Sequence, residues 1–129
     1  IDDETFLQAA REQQQEVTRR EQLYRDGPPL SVRSKPVILI DDGVATGSTM
    51  LAAVRAVRRA GARRVTVAVP VAAAETASLF GGEADALVAC ATPEPFRGVG
   101  AWYDDFRQTT DEEVRELLQS RSTGEETNR

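Results

Sequence analysis

The sequence predicts an α/β domain built on a parallel, doubly wound sheet, and three observations predict it. Apolar runs at 37–40, 65–69 and 86–91 are nearly continuous, as in strands buried on both faces. Helical segments separate them, the alternation that builds parallel sheets. The first run ends in a glycine-bearing turn that opens into an alanine-rich helix, which leaves backbone N–H groups pointing into the turn.

The elements follow in order. Residues 3–25 read as a helix: Asp2 and Asp3 supply a cap and negative charge, Arg19, Arg20 and Arg25 lie toward the other end, and Gly27 stops it. Its apolar stripe (Phe6, Ala10, Val17, Tyr24) is narrow, so it is expected to pack by one edge as an otherwise solvated arm. Pro28 and Pro29 begin a loop of turn formers that ends at Pro36. After the strand Val37 to Ile40, a helix from Thr49 to Ala60 turns Leu51, Val54 and Val57 to the sheet and Arg55, Arg58 and Arg59 to water; Gly61 ends it. The second strand, Val65 to Val69, is closed by Pro70. A short helix, Ala73 to Phe80, is broken by Gly81 and Gly82. The third strand, Ala86 to Ala91, is apolar on both faces, and Cys90 within it reads as a buried, reduced thiol. Residues 92–109 are irregular. Asp111 caps a last helix reaching about Leu118, and 119–129 reads as a disordered polar tail. The expectation is one domain over 1–118, with a helical arm at 3–25 and a core at 37–91.

Three strands are fewer than the roughly five or six of a doubly wound domain. The two helices between them cannot cover both faces of a closed sandwich. Further strands are therefore expected upstream of Ile1, which is not a methionine.

Composition narrows the function. The chain has 129 residues and a formal net charge of −5, which argues against general nucleic-acid binding. No apolar run approaches the ~20 residues of a membrane span. No signal peptide is visible, and the single cysteine allows no internal disulfide, so a cytoplasmic location is expected. The absence of histidine excludes histidine triads and removes the commonest zinc ligand.

The chemistry concentrates in the segment after the first strand. Asp41 and Asp42 stand at its end, followed by Gly43, Thr46, Gly47, Ser48 and Thr49. A site for phosphate alone would gain nothing from two negative charges. A ligand with a phosphate and vicinal hydroxyls uses both parts, because carboxylates accept strong hydrogen bonds from hydroxyls. Phosphorylated ribose fits. The segment has neither the Gly-Lys-Ser/Thr of P-loop nucleotidases nor the Gly-x-Gly-x-x-Gly of dinucleotide sites.

At these residues the sequence resembles the type I phosphoribosyltransferases, whose signature is an apolar strand, two acids and a loop of the form x-x-x-Thr-Gly-x-Thr. Here it stands as Ile40-Asp41-Asp42-Gly43-Val44-Ala45-Thr46-Gly47-Ser48-Thr49. The resemblance covers about residues 30–91. It implies that Asp41 and Asp42 act at the ribose 2′ and 3′ hydroxyls, directly or through water on Mg²⁺, and stabilise an oxocarbenium-like transition state. Gly43, Val44, Ala45, Thr46, Gly47, Ser48 and Thr49 would wrap the 5′-phosphate. The ligand would be phosphoribosyl pyrophosphate or a nucleoside monophosphate, Mg²⁺ the cofactor, and the reaction displacement of pyrophosphate by a base-like nucleophile. The family's upstream pyrophosphate loop has no counterpart here, and the helix at 3–25 would occupy its hood-loop region. The chain alone is accordingly expected to be inactive, working as a homodimer or with an N-terminal half. Thr92-Pro93-Glu94-Pro95-Phe96 also matches a segment of small bacterial phosphoribosyltransferase-like proteins of unassigned substrate. Several purine enzymes of the family place an acid at the position of Ala45, and alanine can neither take nor give a proton. The alternative is therefore a non-catalytic regulator that binds phosphoribosyl pyrophosphate or a nucleotide. An interaction domain without ligand fits less well, because the acids and the Thr-Gly-Ser-Thr loop are kept.

The acceptor site is expected after the third strand, where Phe96, Trp102, Tyr103 and Phe106 cluster in a chain only 5% aromatic. Either Phe96 or Trp102 stacks on a flat acceptor, or the group is a small satellite core under a loop. Asp104 and Asp105 read as solvated or capping acids.

Overall fold

A computed structural model describes residues 3–80 and 82–122. The chain falls into two compact units, residues 1–30 with 107–129, and residues 31–106. The cap at Asp2, the break at Gly81, the side chains of Phe6 and Ala10 and the tail from 123 lie outside what is described.

In the first unit, α1 (Asp3–Tyr24) and α4 (Asp111–Ser122) are joined through Asp111. Its carboxylate accepts from Arg19 Nη1 at 2.9 Å and from the hydroxyl of Tyr24. Leu7 of α1 is exposed, as expected off the stripe, but Val17, which the stripe placed on the packed edge, is exposed as well. Asp111 does not cap α4. Thr110 does: its hydroxyl accepts from Glu113 N–H at 3.2 Å, and the Glu113 carboxylate accepts from Thr110 N–H at 2.8 Å. This is a capping box, legible in Thr110-Asp111-Glu112-Glu113. The helix also runs to Ser122, so residues 119–122, expected in the tail, are helical.

The second unit carries the predicted parallel sheet. Strands β1 (Pro36–Ile40), β2 (Arg64–Val71) and β3 (Ala86–Ala91) lie in the order β1-β2-β3. Leu39 is in register with Val67, and Val67 with Leu87. Helices α2 (Ser48–Arg59) and α3 (Ala74–Leu79) connect them. Pro70 does not close β2. It falls at the position the β2–β3 register skips, between Val69↔Ala89 and Val71↔Ala91, and the strand runs on to Val71.

Right-handed crossovers in a consecutive strand order place both helices on one face of the sheet. There Val65, Val67 and Val69 pack with Val44, Met50, Val54, Ala72 and Phe80 to form the core. The other face bears Ile38 and Ile40, 64% and 78% exposed, with Val88. The expectation of strands covered on both sides therefore holds for one side only. Cys90 is corrected with it: it falls on the open face and is exposed. No helix among the described residues is long and apolar enough to cross a membrane.

Candidate functional site

The acidic segment leaves the C-terminal end of β1, where ligands bind in open α/β sheets. Asp41 and Asp42 are both exposed. Asp41 Oδ1 accepts the Asp42 N–H at 2.9 Å, which turns the chain and leaves Asp41 Oδ2 and the Asp42 carboxylate for other partners. Gly43 then passes through a gap too narrow for a side chain. A β-carbon there would meet Val99 Cγ1 at 2.6 Å and Val71 Cγ1 at 2.9 Å.

Val44 is buried and extends the sheet by one bridge. Its N–H donates to Val71 O at 2.9 Å, and its carbonyl accepts from Ala73 N–H at 3.0 Å. Ala45 O accepts the hydroxyl of Thr76, the one buried polar side chain among the described residues. Gly47 has φ 81 and is the N-cap of α2, with no side chain capping it. The first intrahelical bond is Leu51 N–H to Gly47 O, 2.8 Å. The N–H groups of Ser48, Thr49 and Met50 precede it and have no partner within the helix. They open, at the positive end of the helix dipole, into a concavity of about 250 Å³ lined by Asp41, Gly43, residues 44–50 and Val99.

Every loop residue expected at the site from Gly43 to Thr49 thus gathers around one cavity with Asp41, and Asp42 adjoins it. The two acceptor candidates are not brought there. Phe96 lines a second cavity of about 590 Å³, with Ala73, Ala74, Glu75, Pro93, Glu94 and Pro95. Trp102, 48% exposed, ends a 3₁₀ turn (Val99–Trp102) and is not among the residues lining either cavity. Tyr103 and Phe106 do form the satellite cluster, with ring centroids 5.2 Å apart and planes at 40°.

Among the described residues no group of three or more acidic or cysteine side chains could hold a metal. Two neighbouring carboxylates are nevertheless a sufficient protein share for Mg²⁺, which takes its remaining ligands from phosphate and water.

Four supporting residues were not legible as such: Val71, Thr76, Val99 and Tyr103. The first three act by packing between distant segments, which no local pattern signals. Tyr103 was visible only as a member of the aromatic cluster. Its hydroxyl donates to Asp42 O at 2.6 Å.

The family model described as phosphoribosyl transferase domain matches residues 4–88. "Putative phosphoribosyl transferase Rv0571c" of Mycobacterium tuberculosis (strain ATCC 25618 / H37Rv) is 39% identical over 109 residues, 84% of this chain and 25% of its own. "Putative phosphoribosyl transferase MT0597" of strain CDC 1551 / Oshkosh matches to the same extent. The crystal structure of TT1426 from Thermus thermophilus superposes with a TM-score of 0.69 at 40% identity, covering 92% of this chain and 58% of that one. The chain thus spans about a quarter of the length of the curated relatives it matches.

Proposed function

Because the chain belongs to the phosphoribosyl transferase domain family, we propose that residues 41–49 bind the ribose 5-phosphate part of phosphoribosyl pyrophosphate or of a nucleoside monophosphate, in service of phosphoribosyl transfer to a base-like acceptor. One observation carries this reading: an uncapped helix N-terminus and the Asp41 carboxylate share one cavity, and the Asp42 carboxylate adjoins it. The cavity falls below the ~300–1,000 Å³ typical of drug-sized ligands, in keeping with a sugar phosphate rather than a whole nucleotide.

The phosphate enters at the N–H groups of 48–50, with the hydroxyls of Thr46, Ser48 and Thr49 adding bonds. Asp41 and Asp42 accept from the ribose hydroxyls and hold the ring. Carboxylates there also favour positive charge developing on the sugar. Mg²⁺, when bound at Asp41 and Asp42, would neutralise the departing pyrophosphate. Phe96, in the neighbouring cavity, offers a face to a flat acceptor, whereas Trp102 lines neither cavity.

Ala45 supports the second reading, a non-catalytic binder of the same ligand. Its methyl cannot exchange protons with a base, and its carbonyl is committed to Thr76.

Calorimetry with phosphoribosyl pyrophosphate and ribose 5-phosphate, with and without Mg²⁺, tests the binding. Asp42→Asn should weaken ribose 5-phosphate by about 1.5–3 kcal/mol, the range for bonds to charged groups; unchanged affinity refutes the ribose assignment. Product formation from phosphoribosyl pyrophosphate and a panel of bases separates transferase from regulator.

A further inference from the structure

We infer that Tyr103 is a positioning residue for the acidic end of this site, acting through the main chain at Asp42; the inference rests on the ribose phosphate reading above.

The acidic turn lies outside the sheet. The last β1 residue in register is Ile40, paired with Ala68, and the next main-chain tie is Val44 N–H to Val71 O. Across residues 41–43 the chain is fastened from the segment that follows β3. The Tyr103 hydroxyl donates to Asp42 O at 2.6 Å, and Val99 fills the space beside Gly43. That carbonyl belongs to the 42–43 peptide, so holding it restrains Asp42 directly and Asp41 through the Asp42 N–H bonded to Asp41 Oδ1, and it aims the acids without touching a ligand.

Tyr103 is itself braced. Its ring lies against Phe106. Phe106 packs on Gly100 so closely that a β-carbon at Gly100 would stand 2.7 Å from Cδ1. Tyr103 N–H also donates to Gly100 O at 3.3 Å. The 3₁₀ turn and the two aromatic rings form a bracket that holds the hydroxyl over the turn.

The phosphate end of the loop is held from elsewhere. Thr76 donates to Ala45 O, and Val71 and Ala73 bond Val44. The two halves of the site therefore have separate fasteners, and removing one should not loosen the other.

Tyr103→Phe keeps the ring and removes only the hydroxyl. Its effect is read by titration with ribose 5-phosphate and with inorganic phosphate, and by hydrogen exchange at residues 41–44. Affinity for ribose 5-phosphate should fall about three- to tenfold, the net worth of one hydrogen bond. Affinity for inorganic phosphate should change by less than about twofold, and exchange at 41–43 should quicken. Thr76→Val should instead weaken both ligands together. Equal losses for the two ligands in Tyr103→Phe would show general softening and overturn the positioning role, as would unchanged exchange with unchanged ligand preference. A wild-type protein that binds ribose 5-phosphate no better than phosphate refutes the ribose reading itself, independently of any variant.

Discussion

The γ-methyl of Thr76 lies 2.7 Å from where a β-carbon on Gly47 would stand, and the Phe80 ring lies 3.5 Å from the same point. The glycine of the loop is thus required twice. Its φ of 81 is a conformation that other residues reach only with strain, and its α-face is already filled by α3. The sequence suggested that Gly47 admits the phosphate; the structure shows that it also admits Thr76. Gly47→Ala should cost about 1–2 kcal/mol from the left-handed conformation alone, more from the contact, and should reduce phosphate affinity together with stability. Denaturant unfolding and phosphate titration on one sample check this. A variant that binds normally and unfolds at the same midpoint would show that the loop is not built on this contact.

Val67 is fully buried at the centre of β2, between Leu39 and Leu87 in register. Val67→Ala removes two methyl groups where both neighbouring strands limit collapse. A loss of about 2–3 kcal/mol is expected, the lower part of the range for truncations in a packed core. Urea unfolding with an unchanged slope measures it. A loss under about 0.5 kcal/mol would indicate a core far looser than the contacts imply.

The acid limb of stability should depend on Asp85. Val65 N–H donates to Asp85 Oδ2 at 2.6 Å, and Arg58 Nη2 lies 2.5 Å from the same oxygen. The backbone bond first, and the guanidinium after it, hold the carboxyl below its ordinary value. A depressed pKa contributes stability that is complete above the ordinary carboxylate range and is lost as pH falls through the folded value. Glu113, held down to about 2 mainly by Arg107 and Thr110, acts in the same window. Asp85→Asn should therefore melt lower at pH 7, and its melting temperature should fall less steeply than the wild type's below about pH 4. Parallel curves across pH 2–7 would remove Asp85 from the account.

Magnesium should matter more for phosphoribosyl pyrophosphate than for ribose 5-phosphate. With Mg²⁺ at the proposed site, Asp41 and Asp42 would supply few ligands and the ion would need phosphate oxygens to complete its shell, of which the pyrophosphate brings more. Chelation should weaken the first ligand about tenfold or more and the second little, a contrast that Asp41→Asn with Asp42→Asn should erase. Equal effects on both ligands would separate the metal from the acids.

The parts of this molecule legible in the sequence are those set by near neighbours in the chain. The apolar runs located all three strands, and Asp41 to Thr49 located the cavity, because strand, turn and helix start are consecutive. Thr76 and Val99 were not legible, because their roles come from approaches between distant segments that no period records. Trp102 drew notice through composition, yet composition does not say which cavity a ring lines. The open face was half-legible: three strands looked too few, but Cys90 and Ile40 carry no mark in the sequence of which side the helices choose. That side follows from strand order together with crossover handedness.

The open face leads to the last prediction. Ile38, Ile40 and Val88 are 64%, 78% and 56% exposed on one side of the sheet. In register, Ile40 lies beside Ala68 and Ala68 beside Val88, while Ile38 precedes Ile40 on the same face beside Thr66, so Ile40, Ala68 and Val88 form one apolar row that Ile38 extends. Contiguous apolar surface of this kind drives association, and among the described residues β1 and β3 are the outer strands of the sheet. The chain should therefore self-associate with rising concentration. The double variant Ile38→Thr with Ile40→Thr, β-branched and suited to the strand, should reduce that association at little cost in stability, since these side chains bury little. Light scattering from micromolar to near-millimolar concentration, beside thermal melts, decides it. If the variant associates as the wild type does, the contact lies off this face. If it unfolds, the two isoleucines are buried in solution by something that packs on the sheet, and their exposure is not the state in which the chain works.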